Sequence, residues 1–254
     1  MSVRSCRSAV SESPELRALK AQVLDRRSRD RYRSLSWCYD LLAKSVFGDA
    51  ISRSQERLLE LHSAELTACE RAIWVGGGTG RLLKRLLTLA PRAEVIYVEP
   101  SASMMSKAMR SLTAVERQRV RWVHDEHRWL YHHLDQSETF DVLITAFFLD
   151  VLFERDCREL ARWAHGRVAC WLFADFVPQS SFWGRALIGF MYRCFAVTTR
   201  IDQRHMLDLP SLISSEGWRP LRSARAASAS DDDVVASARF ARGLISVERF
   251  SAEL

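Results

Sequence analysis

The sequence predicts an α/β fold, a mostly parallel sheet with helices on both faces. Three observations predict it. A short apolar run, Ala72 to Val75, leads into Gly76-Gly77-Gly78-Thr79-Gly80 and then into a helical pattern. Further apolar runs of strand length follow at Glu94–Val98, Val120–Val123, Phe140–Ala146 and Arg167–Ala174, separated by helix-length segments. Two last runs, Trp218–Arg222 and Phe240–Phe250, close the chain with no helical pattern between them. Strands alternating with helices demand parallel pairing, because each crossover helix must pack back onto the sheet. The two closing strands read as an antiparallel pair at its edge, which brings the sheet to seven.

The helices are marked by their own punctuation. A helix over Arg81–Leu89 stops at Pro91, and Ser101–Arg110 follows the second strand. Pro210–Ser215 reads as a short helix before the closing strands. Ahead of the sheet, Leu35, Tyr39, Leu42 and Val46 recur at three- and four-residue steps until Gly48 breaks the pattern. A second helix spans Ser52–Leu66. Residues 1–30 are rich in Arg and Ser and read as a flexible basic arm. The expected organisation is therefore the arm (1–30), an N-terminal helical cap (31–70), and a sheet domain (71–254). That domain carries an apolar helical insertion at about 179–208.

Composition sets the outer limits. With 254 residues, 48% of them hydrophobic and 27% charged, the chain has the balance of a globular protein. The net charge of +6 is spread along the chain, without the aromatic-interleaved basic stripe used for single-stranded nucleic acid. No nucleic-acid partner is expected. The six cysteines include no C-x-x-C pair and no zinc spacing, so no metal is expected and a reduced, cytoplasmic setting fits. Phe182–Val197 is too short and carries too many Arg residues to span a bilayer.

The glycine turn is the most informative segment. Glycine tolerates positive φ and leaves no Cβ between backbone and ligand. A helix start behind it presents unpaired N–H groups to an anion. The dinucleotide fingerprint needs a third glycine where this chain has Arg81 or Leu83, so the order here is G-x-G-x-G. Nineteen residues past Gly80, Glu99 ends the second strand, where a carboxylate can accept hydrogen bonds from both hydroxyls of a ribose.

With VGGGTG and YVEPSASMMSKA on these two strands, the chain resembles the class I S-adenosylmethionine-dependent methyltransferases, which have a Rossmann-like sheet. The resemblance covers about Tyr32 to Phe250. Tyr32…Tyr39-Asp40 and the late apolar insertion resemble, more narrowly, the ubiquinone/menaquinone C-methyltransferase branch. The family pattern implies S-adenosyl-L-methionine as cofactor, with Gly76, Gly77, Gly78, Thr79 and Gly80 along its methionine part. It also implies Glu99 and Pro100 at the ribose, and Ser101 and Met104 near the adenine. The acidic position after the third strand falls on Asp125, with Glu126 as the alternative counterpart. Ala146 and Phe147 would floor the sulfonium.

Methyl transfer is an in-line displacement at a cationic sulfonium, so alignment is the enzyme's main contribution. A general base adds to it. Asp175, beyond the fifth strand, is the first candidate base or substrate anchor, and a loop cap is its plain alternative. Asp150 and His124 are further candidates, and His205 a weaker one. Tyr32, Tyr39, Phe148, Trp183 and Tyr192 are the candidate substrate contacts. Three readings of the insertion stay open: a lid over an apolar acceptor, docking on a partner or peripheral membrane surface, and core packing. The expected activity is methyl transfer to a small apolar or aromatic acceptor. The alternative is cofactor binding without transfer, in a regulatory or pocket-forming role. The sequence gives no sign of the oligomeric state.

Overall fold

The computed structural model describes residues 50–176, 207–220 and 245–252. Seven strands run through them: β1 (Arg71–Val75), β2 (Glu94–Val98), β3 (Val120–Val123), β4 (Phe140–Ala146), β5 (Val168–Phe176), β6 (Trp218–Pro220) and β7 (Ile245–Ala252). They form one sheet in the order β3-β2-β1-β4-β5-β7-β6. The first five are parallel, and β7 runs antiparallel to both β5 and β6. β7 is therefore inserted between β5 and β6, so that of the closing pair β6 alone is an edge strand, with β3 at the opposite edge.

Alternate residues of each strand enter two separate cores. Ala72, Trp74, Val95, Tyr97, Val142, Ile144, Leu172 and Ala174 face one side. Ile73, Val75, Ile96, Val98, Leu143, Trp171 and Phe173 face the other. The first core is covered by α1 (Ala50–Leu61), α2 (Ser63–Ala68), α3 (Leu83–Leu89) and α4 (Ala102–Ser111). The single helix expected over Ser52–Leu66 is thus two, parted at His62. The helix expected from Arg81 starts at Leu83, because residues 81–82 still belong to the turn that leaves β1.

Three further helices are α5 (Ala114–Gln118), α6 (Trp129–His133) and α7 (Glu154–Ala164). The last buries Cys157, Leu160, Ala161 and Ala164, an i, i+3, i+4, i+7 stripe. With α8 (Leu209–Ser215) and α6 it covers the second core. Asp208 caps α8, accepting from Ser211 N at 3.3 Å. No helix among the described residues is long and apolar enough to cross a membrane. The arm, most of the cap and the insertion at 179–208 lie outside the described residues.

One buried polar contact ties two central strands. Trp171 Nε1 donates to Thr145 Oγ1 at 2.8 Å, with both residues fully buried. Thr145→Val keeps the shape and strands the indole N–H. We expect a loss of about 1–3 kcal/mol in urea unfolding, and an unchanged midpoint would contradict the assignment.

Candidate functional site

The chain runs outward from β1 through β2 to β3, then returns to pair β4 on the other flank of β1. Ligands in such sheets sit above this reversal, at the carboxyl ends of the strands. Register puts Val75 level with both Val98 and Thr145. The residues just past them therefore share one rim: Gly76–Gly80 after β1, Glu99–Ser101 after β2, and Ala146–Asp150 after β4.

Gly76, Gly78 and Gly80 all have positive φ, between 61° and 67°. Their surroundings differ. Side chains crowd three of the turn's four glycines: Phe148 at Gly76, Tyr97 at Gly77 and Ala108 at Gly80. At Gly78 the nearest atom to an added Cβ is Met104 Sδ, 3.8 Å away. The open approach to the turn is thus at Gly78, with the candidate Met104 beside it.

Glu99 meets that opening. Its Oε2 accepts from Gly78 N at 2.8 Å and its Oε1 from Ser101 N at 2.8 Å. A carboxylate oxygen can accept more than one hydrogen bond, so each keeps acceptor capacity for a ligand hydroxyl. Burial raises the Glu99 pKa, and the Ser101 and Gly78 amides oppose the rise. Tyr97, which the sequence marked only as a strand residue, donates from its hydroxyl to Gly78 O at 3.1 Å. Its burial, followed by the Glu99 charge, pushes the phenol well up and keeps it a donor. Ser101 also caps α4, its Oγ accepting from Met104 N.

Beyond β3, His124 is exposed and its Nε2 donates to Pro100 O at 3.0 Å, joining the loops after β2 and β3. That bond gives His124 a bridging place between the two loops. Asp125 is exposed on the same loop, accepting from Glu126 N at 2.8 Å, and Glu126 is half-buried. Sequence reasoning missed His127. It is buried, its ring packs edge-on against Phe148 and Tyr131, and burial lowers its pKa to about 4. A neutral imidazole therefore backs the candidate substrate residue Phe148.

At the end of β4, Ala146 is followed by Phe147 with φ 55°, the only non-glycine positive φ among the described residues. Such backbone costs about 1–2 kcal/mol and persists only where surrounding contacts over-determine it. Phe147 N donates to Ala174 O at 2.8 Å. The amides of Phe148, Leu149 and Asp150 all point at Asp175 Oδ2, at 3.3, 3.0 and 3.4 Å. Asp175 Oδ1 accepts from Phe176 N at 2.9 Å. β5 extends to Phe176, so Asp175 lies within the strand, fully buried, with both oxygens engaged by backbone N–H groups. It clamps the turn after β4, the loop-cap alternative of the sequence analysis. Asp150 stands beside it, and Tyr32, Tyr39, Trp183, Tyr192 and His205 lie outside the described residues.

Residues 73–170 match the family model described as a methyltransferase domain. That segment is similar to methyltransferase domains and holds the first four strands of the sheet. No curated protein matches its sequence. Among solved structures it is similar to the mitomycin 7-O-methyltransferase MmcR, at 14% identity and a TM-score of 0.53 over 77% of this chain and 54% of that one. It is also similar to CalO1, a methyltransferase in calicheamicin biosynthesis in its SAH-bound form (15% identity, TM-score 0.51, 81% of this chain and 56% of that one). A third is the magnesium protoporphyrin IX methyltransferase ChlM from Synechocystis PCC 6803 with bound SAM. It shows 12% identity and a TM-score of 0.50, over 81% of this chain and 83% of that one. The chain spans about half the length of the first of these matches. At such identities the likeness is one of fold. The matched segment includes the glycine turn, Glu99, Asp125 and Phe147.

Proposed function

We propose that the chain binds S-adenosylmethionine and transfers its methyl group to a small apolar or aromatic acceptor. The observation that carries this reading is the contact of Gly78 N with Glu99 Oε2 at the one uncrowded glycine of the turn. Glu99 would hold the ribose hydroxyls, and the backbone at Gly78 would lie along the methionine part. Pro100, Ser101, Met104 and Asp125 or Glu126 would border the adenine. The Ala146–Phe147 backbone would floor the reacting end. When bound, the cofactor supplies an electrophilic methyl on a sulfonium.

What the protein adds is placement, and good alignment is worth about 7–11 kcal/mol of barrier. The small-molecule class of acceptor is supported by similar folds named for mitomycin and magnesium protoporphyrin IX. The narrower quinone resemblance rested on Tyr32, Tyr39-Asp40 and Phe182–Val197, none of them described, and the reading does not need it.

A second reading, cofactor binding without transfer, draws on the engagement of Asp175 and His124 by backbone. One experiment separates the two. Calorimetry with S-adenosylhomocysteine should give a Kd on the order of micromolar, about −8 kcal/mol. Methyl-labelled cofactor should then pass label to a panel of small phenols, quinones and fused-ring acceptors. Binding without label transfer would favour the second reading, and no binding would remove both.

A further inference from the structure

We propose that Tyr97 is a positioning residue for the cofactor: its hydroxyl holds the Gly78 carbonyl inward and so turns the Thr79 N–H outward, as a donor for the carboxylate of an amino-acid ligand. The ligand rests on the methyl-transfer reading, whereas the anchoring of the turn stands on its own geometry. The glycine turn is built around this side chain. Tyr97 is fully buried in β2 and stands level with Trp74 on β1 and Trp122 on β3. Its ring centroid lies 6.1 Å from that of Trp74 and 5.3 Å from that of Trp122, so packing on both sides fixes its aim. A Cβ added at Gly77 would overlap the Tyr97 ring, and one at Gly80 would lie 3.4 Å from its hydroxyl. Gly77 therefore makes room for Tyr97 rather than for a ligand.

The hydroxyl at the tip of this ring donates to Gly78 O at 3.1 Å. Every peptide bond is trans, so the N–H of a peptide unit points opposite to its C=O. With Gly78 O held against Tyr97, the Thr79 N–H faces away from the ring. It has no hydrogen-bond partner among the described residues, and Thr79 is half-buried. The Gly78 N–H is fixed too, on Glu99 Oε2 at 2.8 Å. Both peptide units that meet at Gly78 thus have set planes.

Glycine alone would not set them. At Gly78 the second unit could turn over at little cost, because no Cβ resists it. That flip would bury the Thr79 N–H against Tyr97 and aim a carbonyl at the ligand. Tyr97 supplies the preference that the residue type lacks. One peptide unit then serves the ribose through Glu99, and the next offers its amide to the amino-acid end. A backbone N–H given to a carboxylate is charge-assisted, the stronger kind of hydrogen bond.

The test compares two ligands on the full chain. S-Adenosylhomocysteine carries the amino-acid end, and 5′-methylthioadenosine shares the adenosine and the sulfur but lacks it. Tyr97→Phe keeps the ring and deletes only the hydroxyl. By calorimetry it should weaken S-adenosylhomocysteine about tenfold and leave methylthioadenosine unchanged, whereas Glu99→Ala should weaken both. Equal losses on the two ligands in Y97F, or no loss on either, overturn the positioning role. A second measurement needs no variant. In wild type, S-adenosylhomocysteine should slow hydrogen exchange at the Thr79 amide and methylthioadenosine should not. Equal protection by both, or by neither, overturns the carboxylate assignment. Without ligand, the Gly78 and Thr79 amide resonances should be single in wild type and doubled or broadened in Y97F. If wild type binds neither ligand, the methyl-transfer reading fails by itself. The resonances then decide the anchor, and identical spectra overturn it.

Discussion

Gly80→Ala is expected to destabilise the domain by about 2–5 kcal/mol, whereas Gly78→Ala costs only about 1–2 kcal/mol and abolishes cofactor binding. Both residues sit at positive φ, 67° and 61°, where any L side chain carries about 1–2 kcal/mol of strain. The difference lies in what the new methyl meets. At Gly80 it would overlap Ala108 Cβ and lie 2.9 Å from Ala108 Cα. The second contact is helix backbone and cannot swing aside, so α4 must move away from the turn. Overpacking of this kind adds about 1–3 kcal/mol. At Gly78 the methyl meets nothing closer than Met104 Sδ, so the fold tolerates it. It would stand on the side from which a ligand approaches. Urea midpoints and S-adenosylhomocysteine calorimetry on the two variants check this together. A Gly78→Ala protein that still binds, or a Gly80→Ala protein of wild-type stability, would break the division of labour.

That division explains how far the sequence could be read. Ile73 to Gly80 advertises a strand, a turn and a helix start through residue types alone, because positive φ selects glycine and buried parallel strands select apolar runs. All seven strands overlap the apolar runs that predict them, β2, β3 and β4 to the residue. The β7 reversal was legible from the missing crossover helix, but its seat between β5 and β6 was not. Strand order depends on which edges meet in space, and local periodicity carries no record of that. The missed helix α7 had a regular stripe in Cys157, Leu160, Ala161 and Ala164, masked by the charged residues on its other face.

In the site, Gly78 and Glu99 were legible because each marks a strand end with a residue whose chemistry is unusual there. Asp175 shows the opposite case. An acid at the end of a strand has the same sequence signature whether it faces substrate or gathers amides from a neighbouring turn. The partners that decide between the two lie 25 to 27 positions away, on Phe148, Leu149 and Asp150. Tyr97 and His127 were invisible for the same reason. Each looks like an ordinary core aromatic until Gly78 O or Phe148 is brought against it.

Glu99→Ala is expected to weaken S-adenosylhomocysteine binding by roughly 10²- to 10⁴-fold. Two charge-assisted hydrogen bonds to a ribose contribute about 1.5–3 kcal/mol each, and every 1.4 kcal/mol is tenfold. The truncation also strands the amides of Gly78 and Ser101, which lose their acceptor. Glu99→Gln is the sharper instrument. It keeps the shape, yet its amide nitrogen must confront one of those two N–H groups, donor against donor. The wild-type carboxyl carries a raised pKa because burial outweighs its two amide partners. As pH falls through that raised value the group takes up a proton and one oxygen turns from acceptor to donor, so affinity should decline on the acid side. The affinity of the wild-type chain should therefore fall on the acid side of its pH profile, and E99Q should erase that decline. A wild-type profile that stays flat on the acid side would mean that the Glu99 carboxyl does not touch the binding event, however well the glycine turn is shaped for it.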